Sequence, residues 1–270
     1  MKIDVKFSEQ TASFDPNFGE VHNISDGGFE RGYAEGYENG SEEGYTKGHE
    51  DGVKKGYADV ELLTDAIIEN TCTKIDNDRV KIVNQYLCCQ NNNLVELNLP
   101  NVEYIGTRSF CECNGLTEVD LPKCTHIGTY GFQRCQNLVS VNVPEVKSMG
   151  GYTFQSCSKL TSLTFPKLET LGTADVYACS KLHTIDLPIC TSISNTAFPY
   201  CSALTAIILR SPTLCTLGGG GTPFNNTPIN SGKGYIYVPK VLVEQYKADA
   251  VWSTYASQIR AIEDYPEITG

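Results

Sequence analysis

Apolar residues recur along the middle of the chain at a fixed spacing of 22, without slippage. Leu94, Leu116, Leu138, Leu160, Leu182 and Leu204 share one slot, and Pro100, Pro122, Pro144, Pro166 and Pro188 share another. In the coil that begins at Leu116, the residues Leu116, Val119 and Leu121 are apolar. The same slots hold Leu138, Val141 and Val143, then Leu160, Leu163 and Phe165. The pattern closes in alternation, which predicts a short strand with one inward face. Proline follows directly and, lacking an N–H, ends each strand at the same place. A constant period of this size marks a solenoid, in which each coil buries its apolar face only against the next.

Strands are expected from Cys72, Leu94, Leu116, Leu138, Leu160, Leu182 and Leu204, the first coil being degraded as a terminal repeat. A further apolar slot (Ile105, Ile127, Met149, Leu171, Ile193) precedes Gly106, Gly128, Gly150 and Gly172, which suit a tight turn with positive φ. Phe110, Phe132, Phe154 and Phe198 predict an aromatic spine opposite the sheet, broken at Cys88 and Val176, where packing should be weaker. After Arg210 the pattern returns at Tyr235–Pro239, and the extra residues in Leu217–Gly234 are expected to form a mobile loop and a possible contact site. Residues 240–270 read as a helical cap, with Val241, Leu242, Tyr246, Trp252, Tyr255, Ile259 and Ile262 covering the last coil.

The twelve cysteines suggest a disulfide framework until their register is considered. Cys113, Cys135, Cys157, Cys179 and Cys201 form one column, and Cys124 and Cys190 fill a slot held elsewhere by valine or leucine. They exchange with small apolar residues, as buried thiols do. Column neighbours lie at the ~4.8 Å strand spacing, whereas a disulfide needs Cβ atoms about 3.5–4.5 Å apart. Reduced thiols and synthesis in a reducing cytosol follow. The close pairs Cys88–Cys89 and Cys111–Cys113 lack the C-x-x-C spacing of a structural zinc site, so no metal is expected.

The first 71 residues are different. Residues 1–27 form a short head in which Ile3, Val5 and Phe7 alternate with charged residues, as in a strand. Residues 28–57 carry glycine at every fourth position: Gly32, Gly36, Gly40, Gly44, Gly48, Gly52 and Gly56, often followed by tyrosine. Residues 28–69 hold 11 acidic and 4 basic side chains, most of the net charge of −11. Two readings stay open, a solvated acidic linker and a helical stalk that self-associates along its glycine stripe. The regularity of the period favours the stalk and hence a homo-oligomer. Residues 58–71 are expected to form a short amphipathic helix capping the open end of the solenoid.

The leucine, proline, glycine, phenylalanine and cysteine slots over 72–239 resemble the BspA-like leucine-rich repeat, a family of bacterial surface, phage-encoded and protist proteins. The resemblance implies an α/β leucine-rich-repeat solenoid with a parallel sheet on one face and short turns or helices opposite. It also implies adhesion or protein binding in place of catalysis. The head and glycine–tyrosine repeat are similar to the N-termini of proteins encoded in prophages of gut Firmicutes, which implies a tail- or virion-associated recognition protein.

The residues add little chemistry. His22, His49, His126 and His183 sit in no nucleophile, zinc or phosphate motif, and no cofactor or catalytic residue is expected. The acidic balance argues against nucleic acid and anionic membranes. No stretch approaches the ~18 apolar residues of a membrane span, and the N-terminus lacks a signal-peptide core. These features fit cytoplasmic synthesis with release in a virion by lysis, or a cytosolic interaction scaffold. A ligand should meet the outward strand rows: Glu96, Glu118, Ser140, Ser162 and Thr184, and beside them Asn98, Asp120, Asn142, Thr164 and Asp186. Small and polar, they suit a cell-surface protein or glycan better than an apolar ligand.

Overall fold

The computed structural model describes residues 72–78, 80–83, 85–220 and 222–269. The expected head, glycine stalk and capping helix lie outside them. Each coil carries a longer and a shorter strand. The first four coils hold β1 (Lys74–Asp76) and β2 (Ile82–Val83), β3 (Glu96–Asn98) and β4 (Tyr104–Ile105), β5 (Glu118–Asp120) and β6 (His126–Ile127), and β7 (Ser140–Asn142) and β8 (Ser148–Met149). Then come β9 (Ser162–Thr164) and β10 (Thr170–Leu171), β11 (Thr184–Leu187) and β12 (Ser192–Ile193), and β13 (Ala206–Leu209) and β14 (Thr216–Leu217). β15 (Tyr235–Val238) and β16 (Ile259–Ala261) close the series.

The longer strands form the expected parallel sheet, in the orders β1-β3-β5-β7 and β9-β11-β13-β15-β16. Its register steps by one repeat, with Glu118 opposite Ser140 and Asp120 opposite Asn142. The shorter strands build a second parallel ladder, β2-β4-β6-β8 and β10-β12-β14, where the pattern predicts only a turn. Turns, with no helix, fill the third side, and they too are bonded between coils. Arg108, Phe110 and Glu112 donate their N–H groups to the carbonyls of Thr129, Gly131 and Gln133 at 2.9, 2.9 and 2.7 Å. The backbone is thus satisfied on three sides of the coil.

The glycines after the short strands do a different job from the one expected. Positive φ falls instead on two columns of other residues, including Arg108, Tyr130, Tyr152 and Ala174 and then Glu112, Arg134, Ser156 and Ala178, with φ from 52° to 61°. Gly128 and Gly150 are needed for close approach: a Cβ on Gly150 would lie 2.4 Å from the Thr129 nitrogen, and one on Gly128 2.7 Å from the Thr107 nitrogen. Gly150→Ala should therefore cost about 1–3 kcal/mol. Gly219→Ala, whose Cβ meets nothing closer than 3.9 Å, should stay within about 0.5 kcal/mol. Equal urea midpoints for the two variants would refute close approach as the reason for the glycine column.

Both ladders are interrupted at one junction, between β7 and β9 and between β8 and β10. In other coils the N–H after the short strand donates to the preceding coil, as Gly150 does to Ile127 O at 2.9 Å. Gly172 instead donates to Asp175 Oδ2 at 2.7 Å, while the Thr153 N–H donates to Oδ1 at 3.2 Å. The buried Asp175 carboxylate takes up the Gly172 N–H that the interruption frees, and burial raises its pKa above the ordinary value.

The core lies between the three sides. Phe132 stacks between Phe110 and Phe154, with centroids 5.3 and 5.6 Å away. At Val176 the same coil supplies Phe165 from its strand side, whose ring lies 6.0 Å from Phe154. The smaller residue on one side is matched by a larger one on the other. Phe224 extends the spine, 5.4 Å from Phe198, and Ile229 is buried, so the 217–234 insertion contributes directly to the core.

All twelve cysteines are free, and the five-member column is buried. Each of its thiols donates to a carbonyl of the preceding coil: Cys113 to Cys88 (2.9 Å), Cys135 to Phe110 (3.0 Å), Cys157 to Phe132 (3.1 Å), Cys179 to Phe154 (3.1 Å) and Cys201 to Val176 (2.9 Å). Burial pushes Cys135 and Cys201 up to about 12, so these thiols stay protonated donors.

The C-terminal cap holds one α-helix over the last coil, α1 (Val243–Ala248), followed by the 3-10 segment Trp252–Gln258. The Tyr246 hydroxyl accepts from Cys215 N (2.8 Å), and Trp252 Nε1 donates to Cys215 O (2.7 Å). Three of the expected cap residues behave otherwise. Val241 is 86% exposed, Ile259 begins a strand, β16, that adds a rung to the sheet, and Ile262 packs against Ile208 and Tyr237.

Candidate functional site: the outward sheet face

Alternation along each long strand points every second side chain outward and places these residues in two parallel rows. Glu96, Asn98, Glu118, Asp120, Ser140, Asn142, Ser162 and Thr164 are all exposed. From β1 to β7 they step with the backbone ladder, and their side chains bond along the stack. Asn98 Nδ2 donates to Asp76 Oδ1 at 2.6 Å, and Asn142 Nδ2 to Asp120 Oδ1 at 2.8 Å. Lys74 is ion-paired with Glu96 and, at 3.1 Å, with Asp76, and both partners raise its pKa, Glu96 most. Acidic groups gather at the N-terminal coils; neutral hydroxyls and amides follow.

The other two expected positions, Thr184 and Asp186, are half-buried. Asp186 accepts a bidentate pair of bonds, from Arg210 Nε to Oδ1 at 3.1 Å and from Nη2 to Oδ2 at 3.0 Å, and the same guanidinium donates to Ile268 O at 2.7 Å. Arg210 occupies the slot that proline fills in earlier coils, and it fastens a returning segment to the sheet. That segment, the 3-10 turn Ile262–Asp264 and α2 (Pro266–Thr269), packs Ile262, Tyr265 and Ile268 against Ile208, Tyr237 and Ala206. The open face therefore ends near Thr164. Its covered end is marked in the sequence by apolar Ile208 and Tyr237 in an otherwise polar row, a signal the slot reading passed over.

Little else among the described residues resembles a site. His126 Nδ1 is 2.8 Å from Ser148 Oγ, and its ring stacks on Tyr104 at 4.8 Å on the short-strand ladder. A cleft between α1 and β16 is lined by Lys240, Lys247 and Arg260, but Lys240 is paired with Asp264 and Lys247 with Glu244. No group of three or more histidine, cysteine or acidic side chains could hold a metal ion, and no helix is long and apolar enough to cross a membrane, among the described residues.

Stacked parallel rungs, a fixed register and a column of buried leucines coincide with the finding that residues 81–211 match the family described as BspA type leucine rich repeat region, in 6 copies. Residues 81–211 carry a BspA-type leucine-rich repeat region. Two solved structures share similarity with the chain. One is a leucine-rich repeat protein from Bacteroides ovatus, at 16% identity and a TM-score of 0.48, covering 71% of this chain and 66% of that one. The other is a leucine rich cell surface protein from Faecalibacterium prausnitzii, at 16% identity and a TM-score of 0.27, covering 54% of this chain and 62% of that one. The chain thus spans less than two thirds of the length of either. No curated protein matches it. Leucine-rich repeats suggest a protein-binding or adhesion module and are generally non-enzymatic.

Proposed function

We propose that this protein is a non-enzymatic adhesion module that binds a polar cell-surface protein or glycan through the outward face of its first five coils. In this reading, residues 28–57 self-associate through Gly32, Gly36, Gly40, Gly44, Gly48, Gly52 and Gly56, and the molecule serves as a tail- or virion-associated recognition protein. The observation that carries the proposal is the uncovered pair of rows from Glu96 to Thr164, polar and exposed, beside a C-terminal end that the chain itself covers. Such a surface suits partners that supply many hydrogen bonds along one direction. Multiple copies would compensate for weak single contacts by avidity. A cytosolic interaction scaffold is the second reading, favoured by the twelve free thiols.

Binding of the purified chain to whole bacterial cells tests the first reading. Replacing Glu118, Asp120, Asn142 and Ser162 together with alanine should lower cell binding by about a hundredfold or more. Asp186 is best left intact, because losing it would release Arg210 and the returning segment. Deleting residues 1–57 should yield a monomer by light scattering and weaken cell binding by about 10²-fold. Unchanged binding by the fourfold variant would remove the sheet face from consideration. Absence of any cell binding would favour the scaffold.

A further inference from the structure

Among the twelve cysteines, Cys89 alone is not buried. It lies on the turn side of the first described coil, one repeat before Cys111, so the register sets the two side chains in neighbouring places of one column. The backbone on either side is tied in register: Cys88 N–H donates to Ser109 O and Gln90 N–H to Cys111 O, both at 2.7 Å. Side chains of this column touch along the stack, as Gln133 and Gln155 do through their amides. A rung spacing of ~4.8 Å falls within the Cα separation of disulfides, so bridging this pair requires the turn to close the Cβ atoms by about 0.3–1 Å, which an exposed turn allows and the buried column does not.

We propose that Cys89 and Cys111 are a redox pair that a hydroperoxide converts to a disulfide, stapling the first described coil to the second. The Cys89 sulfur attacks the peroxide and the O–O bond breaks; the sulfur becomes a sulfenic acid, and the other oxygen leaves as an alcohol, or as water from hydrogen peroxide. The Cys111 sulfur then attacks Cys89 Sγ, the S–OH bond breaks, and the hydroxide leaves with the Cys111 proton as water. Two thiols are oxidised and one peroxide is reduced. The order of attack follows from the surroundings. Contact with Cys111 lowers the Cys89 pKa, with Arg108 also favouring the thiolate, whereas contact with Cys89 and then burial raise Cys111. Cys190 and Cys215 are also paired, but both are fully buried, so they serve as an internal control.

The test uses the full chain, reduced and then exposed to a small excess of hydrogen peroxide without denaturant. Remaining thiols are alkylated after unfolding, and peptides are analysed by mass spectrometry. A Cys89–Cys111 linked peptide should form before any other bridge, with the thermal midpoint rising by roughly 5–10 °C and returning on reduction. Cys89→Ser, at a half-exposed position, should abolish both the link and the shift. Cys111→Ser should leave Cys89 as a trappable sulfenic acid. A peroxide-treated chain in which Cys89 alkylates as fully as before, or in which another pair bridges first, would overturn the proposal.

Discussion

Phe132→Ala should destabilise the solenoid by about 3–5 kcal/mol, measured by chemical denaturation. Phe132 is fully buried and stacked on both sides, at 5.3 Å from Phe110 and 5.6 Å from Phe154. Its removal leaves a void between two coils whose positions are held by backbone ladders on three sides, so the site cannot collapse around it. Each stacked pair adds about 0.5–1.5 kcal/mol beyond the buried area. The coil with Val176 at this slot indicates a compensation: Phe165 stands where Leu121 stands in the coil of Phe132. Leu121→Phe should therefore recover part of the loss when combined with Phe132→Val, while overpacking the wild-type coil on its own. A loss below about 1 kcal/mol for Phe132→Ala would mean that the spine is not what holds the coils in contact.

Trp252→Ala should be comparably severe, at about 3–5 kcal/mol, and should act at the C-terminal end. Trp252 is fully buried, with its ring 5.4 Å from Tyr246 and 6.2 Å from Phe224. Its indole N–H also satisfies the Cys215 carbonyl, whose amide donates to the Tyr246 hydroxyl. Trp252→Phe separates the two contributions: it keeps most of the apolar contact and leaves the carbonyl unpaired, for a loss of about 1–3 kcal/mol. Because this is the only tryptophan of the chain, its fluorescence in the wild type reports the cap directly. Hydrogen exchange in β13 and β15 should rise in Trp252→Ala, since a solenoid without its terminal cap exposes an apolar face. Protection unchanged in those strands would show that the cap and the last coils are not coupled.

Much of the fold was legible because a solenoid repeats its environments. Equivalent residues meet equivalent neighbours, so Leu94 to Leu204 and Cys113 to Cys201 had to be uniform columns, and uniform columns can be read. The second ladder was less legible because two-residue strands such as His126–Ile127 are too short to show alternation. The glycine column was misjudged because a glycine required by a neighbouring backbone looks, in sequence, like one required by its own φ. Gly150 needs space beside Thr129, while Tyr130 and Tyr152 bear the left-handed turns. The candidate site is half legible: the alternation gives the outward rows, but nothing in it shows that Thr184 and Asp186 are half-buried.

The sequence by itself determined the repeat, the inward and outward faces, and the burial of the cysteine column, since each depends on contacts between one coil and its neighbour at a constant spacing. Only the tertiary structure decided which part of the outward face is open. Arg210 reaches the carbonyl of Ile268, 58 positions away, and a contact of that separation has no period to reveal it. It also left Cys89 half-exposed beside the buried Cys111, because exposure depends on how the turn is set against its neighbours, whereas the spacing of these two cysteines is the same as that of the buried column.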